Sequence, residues 1–294
     1  MKTTKLLILA CALSLNTVFA QENKVNDDTQ KAYEIPVLEG PYLGQKPPGL
    51  TPELFAPGIV STEHHEWGIF FSPDMKEVYF SRRNNQSGKD THFVFKYENN
   101  RWHESEAEPG VHGSFSPDGK TRFSANKYRE RTDDGWSEPK SLGPAFEDFD
   151  IMRLTTSSKG TYVFDEYAKD GNFVLRYSRL INGVRETPKL FSKEINTGKR
   201  NFHPFIAPDE SYILWDSKRD DGYGGYDIYV SFRQENGSWG TAINLGDKVN
   251  TSTNQRGGYV TPDGKYLSFF AYDSKGKGDV FWVDAQIIET LRPK

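Results

Sequence analysis

The stretch Phe115-Ser116-Pro117-Asp118-Gly119 decides the fold, because close copies of it recur along the chain. Proline presets φ for a tight turn and glycine accepts a positive φ, so the motif predicts a turn between two strands. The other copies are Phe71-Ser72-Pro73-Asp74, Ile206-Ala207-Pro208-Asp209, Val260-Thr261-Pro262-Asp263-Gly264 and the degenerate Thr156-Ser157-Ser158-Lys159-Gly160. Successive copies lie roughly 41–54 residues apart, a period typical of one propeller blade.

Each copy lies within the same local pattern of strands. A short apolar strand precedes the turn, a second strand follows it, and a polar loop leads to a third strand and an outer strand. No stretch shows a sustained apolar period of 3.6 residues, so few helices are expected. The sequence therefore predicts an all-β fold, a five-bladed β-propeller.

The fifth unit ends before its outer strand, near Arg292. The segment 52–60 resembles the outer strand of the fourth unit, at 239–246. An N-terminal strand is therefore expected to complete the last blade, which closes the ring and removes a free sheet edge.

The N-terminal residues are typical of an export signal. Lys2 and Lys5 precede an apolar run, and Val18-Phe19-Ala20 offers small residues where a signal peptidase cleaves. We expect a signal peptide over 1–20, a polar tether over 21–49 and the propeller over 50–294. A lipoprotein box at Cys11 is the alternative, but the apolar stretch before it is too short. The expected location is the periplasm or the cell exterior, and no later segment is apolar enough to span a membrane.

Composition narrows the function classes. The chain has 294 residues, 27% charged and 14% aromatic, with a formal net charge of −4. A negative chain repels a phosphate backbone, so a general nucleic-acid binder is not expected. The one cysteine lies in the predicted signal peptide, which argues against thiol chemistry in the exported protein. No nucleotide-binding or nucleophile-elbow motif occurs, and no cofactor is predicted.

Candidate site residues emerge when the five units are aligned. In a propeller the innermost strands surround a central channel, so residues just before each motif should converge at its mouth. His112, Arg153 and His203 share one register, four residues before the second residue of their motifs (Ser116, Ser157 and Ala207), and Arg256 lies one position away from that register. The remaining candidates near this register are Glu66 and Trp67.

These residue types suit chemistry on an anion. Arginine binds carboxylate or sulfate through a forked geometry, and histidine transfers protons near neutral pH. We expect His203 to accept a proton and His112 to be a second acid–base group, while Arg153 and Arg256 hold an anion. Glu66 and Trp67 are expected to contact the substrate. A divalent metal ion held by His65 with His112 and His203 is an alternative that the sequence leaves open.

The repeats resemble a known family, the WD40-like PD40 repeats of TolB-type propellers, over roughly residues 50–285. The stretch from Ser217 to Tyr229 is especially similar to PD40 repeats of bacterial envelope proteins. The resemblance implies a propeller fold, but propellers include binding modules as well as enzymes.

A second resemblance concerns the opening Gly44-Gln45-Lys46-Pro47-Pro48-Gly49 and the chain length. Both are similar to small secreted PD40 propellers of bacterial polysaccharide-utilisation systems, among them ulvan-oligosaccharide dehydratases. This resemblance implies a carbon–oxygen lyase or dehydratase that acts by β-elimination on uronic-acid oligosaccharides, with or without sulfate. The alternative is a non-catalytic, TolB-like envelope propeller that recognises a protein or a glycan.

Overall fold

The computed structural model describes residues 37–107, 113–168 and 171–294. Within them the chain forms five antiparallel sheets arranged as five blades, together with one separate two-stranded hairpin, and the first strands of neighbouring blades contact one another around an axis. The predicted all-β, five-bladed propeller is confirmed. None of the helices in these residues has the length and apolarity that crossing a membrane requires.

The strands of each blade follow one another outwards from the axis. Blade 1 contains His65–Phe71, Glu77–Arg83, Asp90–Glu98 and Arg101–Glu106. Blade 2 contains Ser114–Phe115, Thr121–Ser124, Lys127–Thr132, the short Gly135–Trp136 and Lys140–Ser141. Blade 3 contains Ile151–Thr156, Tyr162–Tyr167, Phe173–Ser178 and Lys189–Leu190, with a separate hairpin of Leu180–Ile181 and Val184–Arg185.

Blades 4 and 5 complete the ring. Blade 4 contains Lys199–Ile206, Tyr212–Lys218, Asp227–Phe232 and Ile243–Asn244. Blade 5 contains Gln255–Val260, Tyr266–Tyr272, Gly278–Asp284 and, as its outer strand, Glu53–Leu54. The described helices are short: Tyr42–Gly44 and Pro144–Phe146 are 3₁₀ turns, and Gln286–Glu289 is α-helical.

In blades 1, 2 and 5 the Pro-Asp motif forms its turn through the hydroxyl that precedes the proline, whereas blade 4 has Ala207 at that position. In blade 1, Ser72 Oγ donates to Asp74 Oδ1 at 2.6 Å and accepts from the Glu77 N–H at 2.8 Å. Blades 2 and 5 repeat this arrangement from Ser116 and Thr261. The carboxylate and hydroxyl satisfy backbone groups that the tight turn leaves without ladder partners.

The degenerate motif of blade 3 obtains its carboxylate from the next blade. Ser157 Oγ accepts from the Thr161 N–H, as in the other turns, but donates to Glu210 Oε1 of blade 4 at 2.8 Å. Glu210 follows the Pro-Asp pair of blade 4 and is itself buried. The missing aspartate is therefore replaced by a contact between blades.

The apolar core lies between adjacent blades. Phe55, Phe71, Phe80 and Trp282 fill the space between blades 5 and 1, and similar groups fill the other spaces. The closing strand contributes directly, because Glu53 and Leu54 pair with Trp282 and Phe281. The predicted closure by an N-terminal strand is confirmed.

Part of the segment that the sequence assigns to the tether packs on the propeller. Leu43 is fully buried, and the Tyr42 hydroxyl donates to Asp263 Oδ2 in the turn of blade 5. The Trp102 indole N–H of blade 1 donates to the Gly40 carbonyl at 2.7 Å. Residues 40–43 therefore contact both blades that meet at the closure.

The closure predicts a stability difference between two neighbouring positions. Phe55 is 1% exposed, and its ring centroid lies 5.1 Å from that of Trp282. Phe55→Ala should lower the free energy of unfolding by about 3–5 kcal/mol, because it removes a buried ring and leaves a cavity. Leu50→Ala, at an exposed position, should change it by less than about 1 kcal/mol. Denaturant unfolding measures both, and equal effects would contradict the closure.

Candidate functional site

The first strands of four blades carry a β-bulge near the end of the axis opposite the Pro-Asp turns. The ladder register shifts between Trp67 and Phe70, Ile151 and Leu154, Phe202 and Phe205, and Arg256 and Tyr259. A bulge inserts an extra residue and redirects the side chains beside it. Bulges of this kind are common next to functional sites.

His203 occupies a bulge position that other blades give to glycine. Gly68 and Gly257, which share its register, have φ of 68° and 69°, and His203 has φ of 48°. A residue with a Cβ is disfavoured in this region by about 1–2 kcal/mol. Local backbone strain of this kind persists only where surrounding contacts stabilise it. At His203 these contacts are hydrogen bonds to two carboxylates.

Two buried aspartates hold the His203 region. The His203 N–H donates to Asp165 Oδ2 at 2.8 Å, and His203 Nδ1 lies 2.8 Å from Asp216 Oδ1. Asp216 also accepts from the Gly257 N–H at 2.9 Å and from Arg256 Nε at 3.1 Å. Both carboxylates are fully buried. The carboxylate of Asp216 thus joins blades 4 and 5.

The hydrogen bonds of Asp216 define the state of His203. Burial disfavours the ionised carboxyl, yet His203, Arg256 and the Gly257 N–H together hold the pKa of Asp216 below its ordinary value. An ionised Asp216 only accepts, so His203 Nδ1 carries the proton and Nε2 has the lone pair. Burial lowers the pKa of His203 below 6.5, although the negative charge of Asp216 acts to raise it. His203 is therefore neutral at pH 7.

A pocket of about 210 Å³ lies beside His203 on the axis. Its walls combine aromatic rings, small residues and two ionisable groups, and they come from blades 1, 2, 3, 4 and 5. The lining includes Trp67, Gly68, Phe70, Ser81, Gly113, Ser114, Phe123, Ser124, Ala125, Met152, Arg153, Leu154, His203 and Phe270.

Arg153 brings an unpaired positive charge to this pocket. It is 8% exposed, and its Nη1 atom is buried with no hydrogen-bond partner among the described residues. Its guanidinium carbon lies 5.0 Å from the Phe70 ring centroid. Burial lowers the pKa of Arg153 to about 10, although the negative charges of Asp216 and Asp165 act to raise it. Arg153 therefore stays protonated at neutral pH. A buried cation without a hydrogen-bonded counter-charge is costly, so the charge of Arg153 favours an anion in the pocket that this residue lines.

Larger grooves, of about 580 to 620 Å³, lie beside the Pro-Asp turns at the other end of the blades. Their charged groups include both signs, for example Asp74, Lys76 and Arg131 in one of them. The axial pocket is smaller, but it combines a buried arginine with a histidine that is positioned by a carboxylate. It is therefore the stronger candidate for chemistry.

The structure brings together three of the sequence-predicted residues. Arg153, His203 and Trp67 line the same pocket. Arg256 lies next to them but is bonded to Asp216, with its guanidinium 4.8 Å from the Phe202 ring. His112 lies outside the described residues.

Glu66 lies away from the pocket. It is fully buried and accepts from Arg82 Nε at 2.9 Å and from the Thr62 hydroxyl. Adjacent residues on a strand point to opposite faces, and the neighbouring Trp67 takes the face towards the pocket. The sequence register predicts both Glu66 and Trp67 at the substrate site, but only Trp67 lines the pocket.

The alternative of a metal ion gains no support from the described part of the chain. Within it, no three His, Cys, Asp or Glu side chains are grouped as a metal site requires. His65 Nδ1 accepts from the Gly278 N–H at 2.8 Å, and its ring lies 5.2 Å from that of Trp67. The third residue of the set, His112, is not described.

Sequence reasoning missed the aspartates and Ser81. Ser81 lines the pocket, and its Oγ lies 2.8 Å from Nδ1 of His92 on the next strand. The signal was present: Ser81 and Asp216 lie nine residues after Ser72 and Ala207, the residues before the motif proline, and Asp165 lies eight residues after the equivalent Ser157 in the shorter turn of blade 3. Applying the register to the second strands would have found all three.

The shared carboxylate predicts a strong and local effect on stability. Asp216→Asn keeps the size of the side chain but leaves Arg256 without its buried counter-charge and removes the charged acceptor of His203 Nδ1. The free energy of unfolding should fall by about 3–5 kcal/mol, as when one partner of a buried pair is removed. Asp220→Asn, at an exposed loop position, is the matched control and should change it by less than about 0.5 kcal/mol. Denaturant unfolding of both variants decides the point; a small loss for Asp216→Asn would refute it.

Comparisons with known proteins give a limited result. No family model matches the chain, and no curated protein is found to be similar. Among solved structures, a TolB-like protein from Agrobacterium tumefaciens is 17% identical, with 72% of each chain covered and a TM-score of 0.44. TolB from Acinetobacter baumannii is 14% identical, over 76% of this chain and 55% of its own, with a TM-score of 0.42. A gluconolactonase from Xanthomonas campestris is 10% identical, over 75% and 76%, with a TM-score of 0.44.

Proposed function

We propose that the axial pocket binds a carboxylate-bearing sugar and that the protein is a carbon–oxygen lyase or dehydratase acting on acidic oligosaccharides. One observation carries the proposal: Arg153, a buried cation whose Nη1 has no hydrogen-bond partner among the described residues, lines the same small pocket as the neutral His203. A cation and a base at one site are the groups that proton removal beside a carboxylate needs.

The proposed reaction is a β-elimination. Arg153 neutralises the uronate carboxylate, which makes the adjacent C–H more acidic. His203 Nε2 takes that proton, its electron pair forms the new C=C bond, and the bond between the β-carbon and its oxygen breaks. The leaving oxygen takes a proton from a second acid, for which the sequence proposes His112. The product is a shortened oligosaccharide or water, together with an unsaturated sugar acid.

The residues around the two charged groups have supporting roles. Asp216 fixes the ring of His203 with Nδ1 protonated, so that Nε2 is the base. Arg256 serves by holding Asp216, rather than by binding the substrate. Trp67 and Phe270 line the pocket with aromatic surface on which a sugar ring can pack.

The export that the sequence predicts supports a substrate outside the cell. The predicted signal peptide over 1–20 lies outside the described residues, so it remains a prediction from the sequence. A periplasmic or secreted protein would meet polysaccharide fragments there. The protein partner that a TolB-like role implies is retained as the alternative, to be decided by the same experiment.

The first test measures turnover. Oligosaccharides of pectate, alginate and ulvan are incubated with the protein, and the absorbance of the unsaturated uronate is followed. His203→Ala should lower the turnover of the reactive substrate by about 10²–10⁴, because it removes the proton acceptor. His103→Ala is the matched control, since His103 is exposed on the outermost strand of blade 1. Saturable binding of a sugar or protein without any turnover would instead assign a non-catalytic binding propeller.

A second test uses pH. Because burial lowers the pKa of His203, kcat/KM should fall with acid through a midpoint below 6.5, as the free enzyme's base becomes protonated. Asp216 opposes that lowering, so Asp216→Asn should move the midpoint to still lower pH. The pH profile of kcat/KM for both proteins measures the shift. A midpoint that is unchanged or higher in the variant would exclude His203 as the titrating base.

A further inference from the structure

The five blades share one position that surrounds the pocket. In blades 1, 3, 4 and 5 it lies on the second strand, opposite or beside the bulge of the first strand, and in blade 2 it is the residue just after the second strand; we name it the belt position. Its occupants in blades 1 to 5 are Ser81, Ala125, Asp165, Asp216 and Phe270. Two blades therefore have a carboxylate there, two have a small side chain, and one has an aromatic ring.

The belt carboxylates of blades 3 and 4 both accept hydrogen bonds from backbone N–H groups of the bulges. Asp165 accepts from the N–H groups of Met152 and Arg153 in its own bulge, at 3.0 and 2.8 Å, and from His203 in the next. Asp216 accepts from the Gly257 N–H in the bulge of blade 5. A buried carboxylate thus serves the bulge of the following blade in both cases.

Blade 1 has the bulge without a carboxylate. Gly68 has the register and the positive φ of Gly257. The belt positions that flank it are Ser81 in its own blade and Phe270 in the preceding one. Ser81 is engaged with His92 Nδ1, and Ala125 of blade 2 has no polar group. The pocket lies at these small residues, Arg153 lines it, and the buried Nη1 of Arg153 has no hydrogen-bond partner among the described residues.

We propose that the carboxylate of the bound sugar acid takes, at blades 1 and 2, the place that Asp165 and Asp216 hold at blades 3 and 4. It lies between the Arg153 guanidinium and the bulge at Gly68, and this assignment rests on the proposed function. Ser81 and Ala125 determine specificity, because their small side chains leave room for a group that the chain itself supplies in blades 3 and 4. The ligand class is a planar carboxylate rather than a sulfate ester.

The test introduces a carboxylate by substitution at the belt position of blade 1, where the proposal places the carboxylate of the ligand. D-Galacturonate, D-glucuronate and D-mannuronate are the probes, the methyl ester of the best one is the neutral analogue, and calorimetry measures affinity. The ester should bind the wild-type protein at least tenfold more weakly. Ser81→Asp should lower the affinity for the acid at least a hundredfold, because its carboxylate occupies the site. Ser81→Asn, of equal size and no charge, should lower it less than tenfold.

The outcomes separate this assignment from the proposed function. Equal losses in Ser81→Asp and Ser81→Asn would show a steric effect and overturn the assignment, as would retained binding in Ser81→Asp. Loss in Arg153→Ala with no effect of Ser81→Asp would leave the proposed function intact and refute only the placement. No binding of any of the three acids by the wild-type protein would contradict both. If Ser81→Asp fails to fold, Ala125→Asp tests the same charge from blade 2, with Ala125→Asn as its control.

Discussion

The buried carboxylate of Asp216 is the interaction on which the candidate site depends. It accepts hydrogen bonds from the His203 ring, the Arg256 guanidinium and the Gly257 backbone, and so connects the first strands of blades 4 and 5. Water is excluded there, so each of these hydrogen bonds is stronger than it would be at the surface. Loss of the carboxylate would leave the buried charge of Arg256 without a counter-charge. The same contacts hold His203 in a backbone conformation that glycine occupies in two other blades.

The site arises where the five-fold repeat is broken. A regular propeller would have the same side chain at each belt position, and its channel would be lined uniformly. Here carboxylates in blades 3 and 4 organise the arginine and histidine, and Ser81 and Ala125 leave space opposite them. The broken repeat also appears at the far end, where Glu210 of blade 4 completes the turn of blade 3. Differences in sequence between the blades thus form the pocket and also provide part of the contact between neighbouring blades.

The fold could be predicted because its determinants are local. Each Pro-Asp turn is stabilised by residues within the motif, as Ser72 and Asp74 show, so the motif alone marks a blade. The site could be predicted only in part. Register placed Arg153, His203 and Trp67 correctly around one axis, but it could not show that Glu66 points away from the pocket or that Arg256 is bonded to Asp216. Those outcomes depend on how each bulge redirects side chains, which a linear alignment of the blades does not contain.

The most direct measurement is a crystal structure of the protein grown with a uronic acid. The account predicts the sugar in the axial pocket, with a carboxylate oxygen within about 3.2 Å of Arg153 Nη1 and the ring against Trp67 or Phe270. It also predicts that His203 Nε2 faces the sugar while Nδ1 keeps its bond to Asp216. A sugar bound in one of the grooves between blades, or an axial sugar whose carboxylate points away from Arg153, would contradict the account.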